Sequence, residues 1–370
     1  MTSRVVSFFE RVFPIPAFLD VPQVGLDISD ASIKYMELAH KGGRLSVKRF
    51  GEEQLPEGAM VAGGHIVKPD VLVDLLSKIH KEKKVDHAVL SLPEEQAYIV
   101  RLQVPFMDPS RIHEALELQL EEHIPLPPHD VVFDYSILRE PADEKGTYDI
   151  AVAALPRPVV DAYLDLCVRA GIHAVGFEIE THAVSRAVVP VASRASTMVV
   201  DLGKTRTGIA IVLGQHVLFT STVPLGGDAI TKAVEREMHV SLEEAERLKI
   251  ETGLSRTGDG QKLFDFLVPI VSALKDEIGK HYMYWRSHKD DAGTDHLPIE
   301  KILLCGGQAS MPGLAEYLAS DLGVVVEAAQ PWVNVQSPNV ALPPLSVREA
   351  LRYTTAIGLA LRPFSRESHD

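Results

Sequence analysis

Two stretches of the chain repeat one pattern of apolar and polar positions. Residues 24–38 form a short apolar segment, a small polar turn at 29–32 and a second apolar segment, which predicts a β-hairpin. The same pattern returns at 197–212, about 175 residues later, with its turn at 203–208. This repetition predicts a duplicated α/β fold with one ligand between the halves.

Apolar residues with helical spacing follow these strands. Ile112, Leu116, Leu120 and Ile124 fall on one stripe, and Asp108 can cap the start of that helix. We predict helices at 69–81, 109–124, 158–170, 242–252, 262–284, 312–322 and 349–361. Further strands are predicted at 87–92, 131–138, 148–154, 217–220 and 302–307.

One uncharged stretch is long enough to suggest a membrane span. Residues 207–227 contain no Asp, Glu, Lys or Arg over 21 positions. However, 214–216 and 224–227 are turns, and each remaining half is short and rich in Val, Ile and Thr. We therefore interpret the stretch as a buried hairpin.

The N-terminal segment leaves two interpretations open. Residues 7–13 are largely apolar, but Glu10 and Arg11 interrupt the run and Pro14 ends it. A secretory signal is therefore not expected. The segment 1–20 is either a leader that is disordered or docked on the protein, or a weak interfacial membrane contact.

Composition narrows the classes of function. The chain has 370 residues, enough for two domains or one bilobed fold. It carries 37 basic and 51 acidic residues, a formal net charge of −14, which argues against general nucleic-acid binding. Two cysteines, Cys167 and Cys305, exclude a disulfide framework and a cysteine-rich metal site. The 15 histidines form no His-x-x-x-His pair on a helix, which argues against zinc.

Three glycine-bearing turns, at 25–34, 201–208 and 306–313, carry the candidate chemistry. Tight turns point backbone N–H groups at a triphosphate, and glycine keeps bulk away from it. Asp27 and Asp201 end their strands, where a carboxylate can hold Mg²⁺ through water. The sequence contains neither a Walker motif nor a strand-linked G-x-G-x-x-G. A nucleotide site in this chain would therefore lie between two hairpins.

These turns give the chain a resemblance to the actin-like ATPase superfamily. Asp27 and Asp201 fall in its two phosphate loops, and Gly306-Gly307 falls in its adenosine loop. Within the superfamily, residues 21–363 resemble the PilM family of type IV pilus assembly. The stretches that carry this finer resemblance are 114–138, 225–233 and 243–249.

Two alternatives stay open on the same fold. The first is the FtsA family of cell division, whose members carry a C-terminal amphipathic membrane helix; residues 363–368 do not resemble one. The second is a turnover-coupled ATPase or a small-molecule kinase. A kinase needs a catalytic base beside its substrate, and the sequence offers only two glutamates for that role.

The resemblance implies an α/β, actin-like ATPase fold. It has two lobes of duplicated, ribonuclease H-like sheet-and-helix subdomains, with an inserted subdomain of the FtsA 1C or SHS2 type. The implied bounds are 21–84 and 170–196 for subdomain 1A, 85–169 for the inserted 1C, 197–226 and 299–348 for 2A, and 227–298 for 2B. A leader (1–20), a final helix that returns to 1A (349–363) and a polar tail (364–370) complete the chain.

The resemblance also implies ATP and Mg²⁺ as cofactors and assigns residues to them. Asp27 and Asp201 would hold Mg²⁺ through water. Lys204 and Arg206 depart from the smaller residues common in the second phosphate loop, so Lys204 either pairs with a phosphate or crowds it. The phosphates would face Ser29, Ser32, Lys34, Gly203, Lys204 and Thr205, and the nucleoside would lie among Gly226, Gly227, Glu246, Lys249, Gly306 and Gly307.

Hydrolysis would need a side chain that orients water near the first connection between the lobes. Glu178 and Glu180 are the available residues, and we select Glu178. Alternatively, Glu178 is only a negative charge near a helix N-terminus, where the helix dipole stabilises it. A carboxylate beside phosphate is repelled unless Mg²⁺ intervenes, so hydrolysis is expected to be slow at most.

Membership of the PilM family would imply a cytoplasmic ATP-binding scaffold of the inner-membrane pilus complex. The inserted subdomain would help to form a groove for the N-terminal cytoplasmic peptide of PilN, a bitopic membrane protein. That partner would hold the chain at the membrane. ATP would set the cleft angle and thereby the partner surface that is available. The oligomeric state stays open.

Overall fold

The computed structural model describes residues 23–41, 44–56, 58–61, 63–143, 145–256, 260–289, 296–335 and 345–364. The predicted leader (1–20) and the tail beyond Phe364 lie outside these residues. Two five-stranded sheets and an additional three-stranded sheet form the framework.

The strands are β1 (Val24–Ile28), β2 (Ser32–Lys41), β3 (Arg44–Gln54), β4 (Met60–Val61), β5 (His65–Ile66), β6 (His87–Leu92), β7 (Tyr98–Pro105), β8 (Val131–Arg139), β9 (Thr147–Pro156), β10 (His173–Ile179), β11 (Ser196–Leu202), β12 (Thr207–Leu213), β13 (His216–Val223), β14 (Ile299–Cys305) and β15 (Val325–Ala328). The helices are α1 (Pro69–Lys83), α2 (Ile112–His123), α3 (Arg157–Ala170), α4 (Glu180–Val188), α5 (Gly227–Met238), α6 (Leu242–Glu251), α7 (Gly260–Ser287), α8 (Leu314–Leu322), α9 (Val347–Ala350) and α10 (Thr354–Leu361).

The two large sheets have the same topology. Their strand orders are β10-β6-β1-β2-β3 and β15-β14-β11-β12-β13. In each sheet an antiparallel meander is extended by parallel strands beside its first strand, because β1 pairs with β6 and β11 pairs with β14. We call the first sheet with α1 and α3 lobe I, and the second sheet with α5 to α8 lobe II. The predicted duplication is confirmed.

The uncharged stretch 207–227 forms a hairpin inside lobe II. β12 and β13 pair antiparallel from Thr207 opposite Val223 to Leu213 opposite His216. Residues 207–212 are buried. The predicted hairpin is therefore confirmed, but only its first strand is largely buried, since most of β13 is half-buried. Within the described ranges, no helix combines the length and apolarity needed to cross a bilayer.

A small subdomain, residues 98–156, consists of α2 packed on the sheet β7-β9-β8. The predicted stripe Ile112, Leu116 and Leu120 is its buried face. Asp108 caps the 3₁₀ turn that leads into α2, because its carboxylate accepts the Ser110 backbone N–H at 2.9 Å. The apolar face of this short helix therefore has its own core.

The predicted bounds of the insert, 85–169, are too wide at both ends. β6 pairs with β1 and β10, so residues up to Leu92 belong to the lobe I sheet. α3 packs on α1, and its Tyr163 and Leu166 lie in the lobe I core. These pairings link residues far apart in sequence, which local patterning does not report.

Helices α4 and α10 connect the lobes. The core of lobe II continues into both of them, since Val184 and Ile357 share one buried cluster with Val200. The helices approach so closely that a Cβ on Gly358 would lie 1.7 Å from the Ala183 carbonyl oxygen. Only glycine permits this contact.

The predicted final helix 349–361 is interrupted. It consists of α9, a 3₁₀ turn at Leu351–Tyr353 and α10. The Leu351 carbonyl accepts the Gly306 N–H at 3.2 Å and the Thr354 hydroxyl at 2.8 Å. The first of these hydrogen bonds joins the start of the last helix to the glycine turn after β14.

Candidate functional site

Asp27 lies buried in β1 at the cleft between the lobes. Its Oδ1 accepts the Ser91 hydroxyl at 3.0 Å, and its Oδ2 lies 3.9 Å from Lys34 Nζ. Burial raises the pKa of Asp27, although Lys34 and Ser91 act in the opposite direction. The carboxylate is thus held by its neighbours in a site that favours an additional cation.

Asp201 occupies the equivalent place on β11, opposite Asp27. Burial raises its pKa to about 6, and the negative charge of Asp27 adds to this effect. Gly306, with φ +85°, lies so close that a Cβ there would stand 2.3 Å from Asp201 Oδ1. The two aspartates therefore lie close enough to interact electrostatically, and Gly306 packs directly against Asp201.

Three loops of lobe II form one continuous backbone wall. Gly227 N–H donates to the Gly203 carbonyl at 3.0 Å, and Asp228 N–H donates to the Lys204 carbonyl at 2.8 Å. Gln308 N–H donates to the Leu202 carbonyl at 3.2 Å. The predicted residues that the structure brings together here are Gly203, Lys204, Thr205, Gly226, Gly227, Gly306 and Gly307.

Lys249 supports this wall from behind. Its ammonium group donates to Glu246 at 2.6 Å, to Thr231 at 2.7 Å and to the Gly227 carbonyl at 3.4 Å. The side chain is 1% exposed, and burial lowers its pKa. Lys249 therefore fixes Gly227 from inside the protein, whereas Glu246 remains partly exposed.

The first hairpin turn is closed by its own serines. Ser29 donates both its backbone N–H, at 3.0 Å, and its hydroxyl, at 2.9 Å, to the Ser32 carbonyl. Asp30, at the tip of the turn, accepts the Thr205 hydroxyl of the opposing hairpin at 2.5 Å. The two glycine-bearing hairpins therefore contact each other across the cleft.

A sequence profile described as type IV pilus assembly protein PilM matches residues 25–364. The chain belongs to the PilM family. Its structure is similar to that of a PilM–PilN type IV pilus biogenesis complex, with a TM-score of 0.75 and 24% identity over 93% of this chain and 99% of that chain. The shared architecture is the actin-like fold.

More distant relatives have the same fold. MreB5 of Spiroplasma citri bound to ADP matches with a TM-score of 0.52 and 13% identity, over 85% of this chain and 94% of that chain. FtsA of Bacillus subtilis (strain 168) is 29% identical over 180 residues, which cover 43% of this chain. The match spans only 37% of the FtsA sequence.

Glu178, which we predicted to orient the hydrolytic water, forms an ion pair with Arg186 in this PilM-family chain. Both of its carboxylate oxygens accept from Arg186, which also donates to the Gly358 carbonyl at 3.2 Å. The pair ties β10 to α4 and α10. Glu180, the first residue of α4, lies instead among the cleft carboxylates, and burial raises its pKa well above the usual value.

Sequence reasoning missed two further carboxylates, Glu94 and Glu95. They form a 3₁₀ turn directly after β6, which is a third strand end at the cleft. Burial raises the pKa of Glu94 to about 8, with added effects from the charges of Glu95 and Asp201. The sequence pattern that could have indicated these two residues is the run Ser91 to Glu95, in which Pro93 ends an apolar strand and two acidic residues follow.

The cleft is strongly acidic. Its buried cations are Lys34 and Arg206, and its carboxylates are Asp27, Asp30, Glu94, Glu95, Glu180 and Asp201. Burial of like charges raises carboxyl pKa values, and a divalent cation would reverse this effect. Among the residues that the structure describes, no three His, Cys, Asp or Glu side chains converge to hold a metal ion directly.

Proposed function

We propose that the chain binds Mg²⁺–ATP between its two hairpins. The observation that carries this proposal is the backbone wall of lobe II facing the Ser29–Ser32 turn, with a strand-end aspartate on each side. The glycines of this wall leave room for a phosphate group to approach the backbone, and the two aspartates suit Mg²⁺ held through water. The ADP seen in MreB5, which has a similar fold, supports the same class of ligand.

The bound Mg²⁺ would supply charge neutralisation between the phosphates and the acidic cleft. Asp27 and Asp201 would hold its water shell, and Ser91 keeps Asp27 oriented. Gly226 and Gly227 would border the nucleoside, and Lys249 would keep that wall in place. Glu178 has no role in this proposal, because it pairs with Arg186.

We assign the water-orienting role to Glu180. Its side chain is 15% exposed and lies beside Asp30 and Glu95, because all three share Arg206. A carboxylate with a raised pKa at the cleft can accept a proton from an attacking water. Hydrolysis would be slow while Arg206 occupies Glu180.

Measured Mg²⁺–ATP affinity tests this proposal. Asp201→Asn should weaken binding about 10–100-fold, the range for outer-shell metal partners. Removal of Mg²⁺ should weaken binding by the parent protein but have little effect on the variant. Asp265→Asn, on the exposed face of α7, is the matched control and should bind like the parent. Equal affinity of the parent and Asp201→Asn would refute the assignment.

We further propose that the chain is a scaffold at the cytoplasmic face of the inner membrane, bound to the N-terminal peptide of a PilN-like protein. Family membership and the similar PilM–PilN complex support this partner. The small subdomain, 98–156, contains 11 acidic and four basic residues. A shallow depression between α2 and β8 is bordered by Leu120, Ile124, Leu126 and Phe133, with the exposed Glu117 and Glu121 beside it. Its acidic border suits a peptide with basic residues.

Peptide binding is testable by fluorescence polarisation with a labelled N-terminal peptide of the PilN from the same organism. The double variant Glu117→Lys, Glu121→Lys should weaken binding about tenfold or more, because two favourable charges become repulsive. The reversal Glu244→Lys, on lobe II, is the control. If the parent protein shows no detectable binding, the scaffold proposal fails, whatever the outcome for ATP.

A further inference from the structure

Arg206 belongs to lobe II but contacts carboxylates of lobe I. It lies on the second hairpin, between Gly203 and β12. Its Nη1 donates to Asp30 Oδ2 at 2.5 Å, its Nε pairs with Glu95, and its Nη2 lies 3.2 Å from Glu180 Oε2. Each nitrogen of the guanidinium group therefore contacts a different acid.

The three acids come from three separate elements. Asp30 lies in the turn between β1 and β2, Glu95 in the 3₁₀ turn after β6, and Glu180 at the start of α4. Asp30 and Glu95 belong to lobe I, and Glu180 directly follows its strand β10. One side chain of lobe II therefore holds all of them in a fixed arrangement.

The contact is largely shielded from water. The Arg206 side chain is 12% exposed, and the three acids are between 8% and 15% exposed. Burial disfavours the charged guanidinium, but Glu180, Glu95 and Asp30 together raise the pKa of Arg206. A shielded, multiply paired arginine restrains its partners much more than a surface ion pair does.

The planar guanidinium fork matches phosphate oxygens as well as it matches carboxylates. Arg206 also lies in the loop whose backbone would face the phosphates. A bound triphosphate would therefore compete with the three acids for the same donor groups.

We infer that Arg206 is an ionic clasp, a positioning residue that holds the lobes together across the cleft and occupies Glu180 until a nucleotide phosphate draws the guanidinium away. The exchange with phosphate rests on the proposed function. The clasp itself does not, because it acts in the nucleotide-free protein.

Inter-lobe distances measured by pulsed electron–electron spin resonance test the clasp without nucleotide. Spin labels on Glu82→Cys in lobe I and Glu243→Cys in lobe II report the separation, because native Cys167 and Cys305 are buried. Arg206→Gln and Glu95→Gln should each shift the distance distribution to longer values and broaden it. Arg247→Gln is the control, since Arg247 pairs with Glu244 and Glu251 within α6 alone.

The same two variants should change Mg²⁺–ATP affinity in opposite directions. Arg206→Gln removes a phosphate donor and should weaken binding about tenfold, whereas Glu95→Gln removes a repulsive charge and should strengthen it by a similar factor. A role for Arg206 as phosphate ligand alone predicts the affinity changes but no change in distance. Unchanged distances in both clasp variants would therefore overturn the inference.

Two further measurements keep the test decisive. If Arg206→Gln does not fold, Arg206→Lys keeps the charge without the fork and should give an intermediate distance distribution. If the parent protein does not bind ATP, the proposed function fails, while the nucleotide-free distances still decide whether Arg206 closes the cleft.

Discussion

The carboxyl group of Glu94 lies where the lobes meet, and its environment keeps it protonated at neutral pH. Burial raises its pKa from 4.5 to about 8, and the charges of Glu95 and Asp201 add to the shift. The Thr222 hydroxyl of lobe II donates to Glu94 Oε1 at 3.1 Å. This hydrogen bond favours the ionised carboxylate and so opposes the shift, but burial is the larger effect.

The pH dependence of unfolding follows from the sign of that shift. Because the folded-state pKa lies above the unfolded value, the Glu94 contribution is complete below about pH 4.5 and is lost as the pH rises through about 8. Glu94→Gln mimics the neutral acid, so its free energy of unfolding should fall less between pH 5 and 8.5, by a few kcal/mol. Urea unfolding across this range measures the slope, with Glu121→Gln as control. Parallel slopes for all three proteins would contradict the prediction.

Gly306 offers a second test at the level of a single residue. A Cβ there combines backbone strain at φ +85° with a contact of 2.3 Å to Asp201. Gly306→Ala should therefore lower the free energy of unfolding by more than about 1–3 kcal/mol and abolish ATP binding. Gly323 also has a positive φ, of +62°, but a Cβ there meets nothing within 4 Å.

Gly323→Ala thus measures the energetic cost of the positive φ alone, because an added Cβ at this position meets no other atom. It should lower stability only modestly and leave ATP affinity unchanged. If calorimetric unfolding showed equal losses for both glycines, the close approach to Asp201 would have no energetic role.

At the level of elements, the junction of β10 and α4 separates two glutamates with different roles. Glu178 and Arg186 form a buried pair, with side chains 9% and 7% exposed. Glu178→Gln should lower the free energy of unfolding by about 3–5 kcal/mol because it removes the negative charge that balances the buried guanidinium of Arg186. Glu180→Gln should leave folding intact and lower single-turnover ATP hydrolysis about 10²–10⁴-fold.

Measuring both properties in both variants prevents a stability defect from being taken for a catalytic one. Hydrolysis is compared at a temperature where each variant is fully folded. Loss of hydrolysis in folded Glu178→Gln, with full activity in Glu180→Gln, would restore Glu178 to the role that we first gave it.

The same junction shows how far sequence reasoning reaches. The local pattern predicts both glycine-bearing hairpins, the uncharged hairpin and the α2 stripe, because each depends on neighbours in sequence. It does not distinguish Glu178 from Glu180, because the choice depends on Arg186 of α4 and on the Gly358 carbonyl of α10. Similarly, the residues around Lys249 are those of a solvent-exposed helix, so the sequence does not indicate that this lysine is buried. Its burial becomes clear only from its contact with Gly227 in the structure.

On the scale of the molecule, the same limit explains the bounds of the insert. β6 and α3 have the composition of an independent unit, but they pair with β1 and α1 in lobe I. The small subdomain is therefore confined to the strands and helix between them. Its β7 and β9 lie against β13, the edge strand of lobe II that also carries Thr222. The small subdomain thus contacts both lobes, because its β8 and β9 also lie against α3 of lobe I.

This arrangement predicts thermodynamic linkage between the two proposed sites. If Mg²⁺–ATP changes the angle between the lobes, β13 moves relative to the small subdomain. The affinity of the small subdomain for a PilN-like peptide then changes as well. Coupling of this kind is typically 5–150-fold, and it must be equal in both directions. Titration with AMPPNP avoids hydrolysis and leaves the clasp residues unchanged, so peptide affinity with and without nucleotide, and nucleotide affinity with and without peptide, can both be measured at equilibrium.

The linkage should also depend on the clasp. In Arg206→Gln the three acids no longer hold the lobes together, so nucleotide binding should change the angle between the lobes less. The ratio of peptide affinities with and without Mg²⁺–ATP should therefore fall toward one. Arg247→Gln keeps the clasp and should keep the coupling of the parent. A peptide affinity that is the same with and without Mg²⁺–ATP, in a protein that binds both, would mean that the contact of β7 and β9 with β13 does not transmit the state of the cleft.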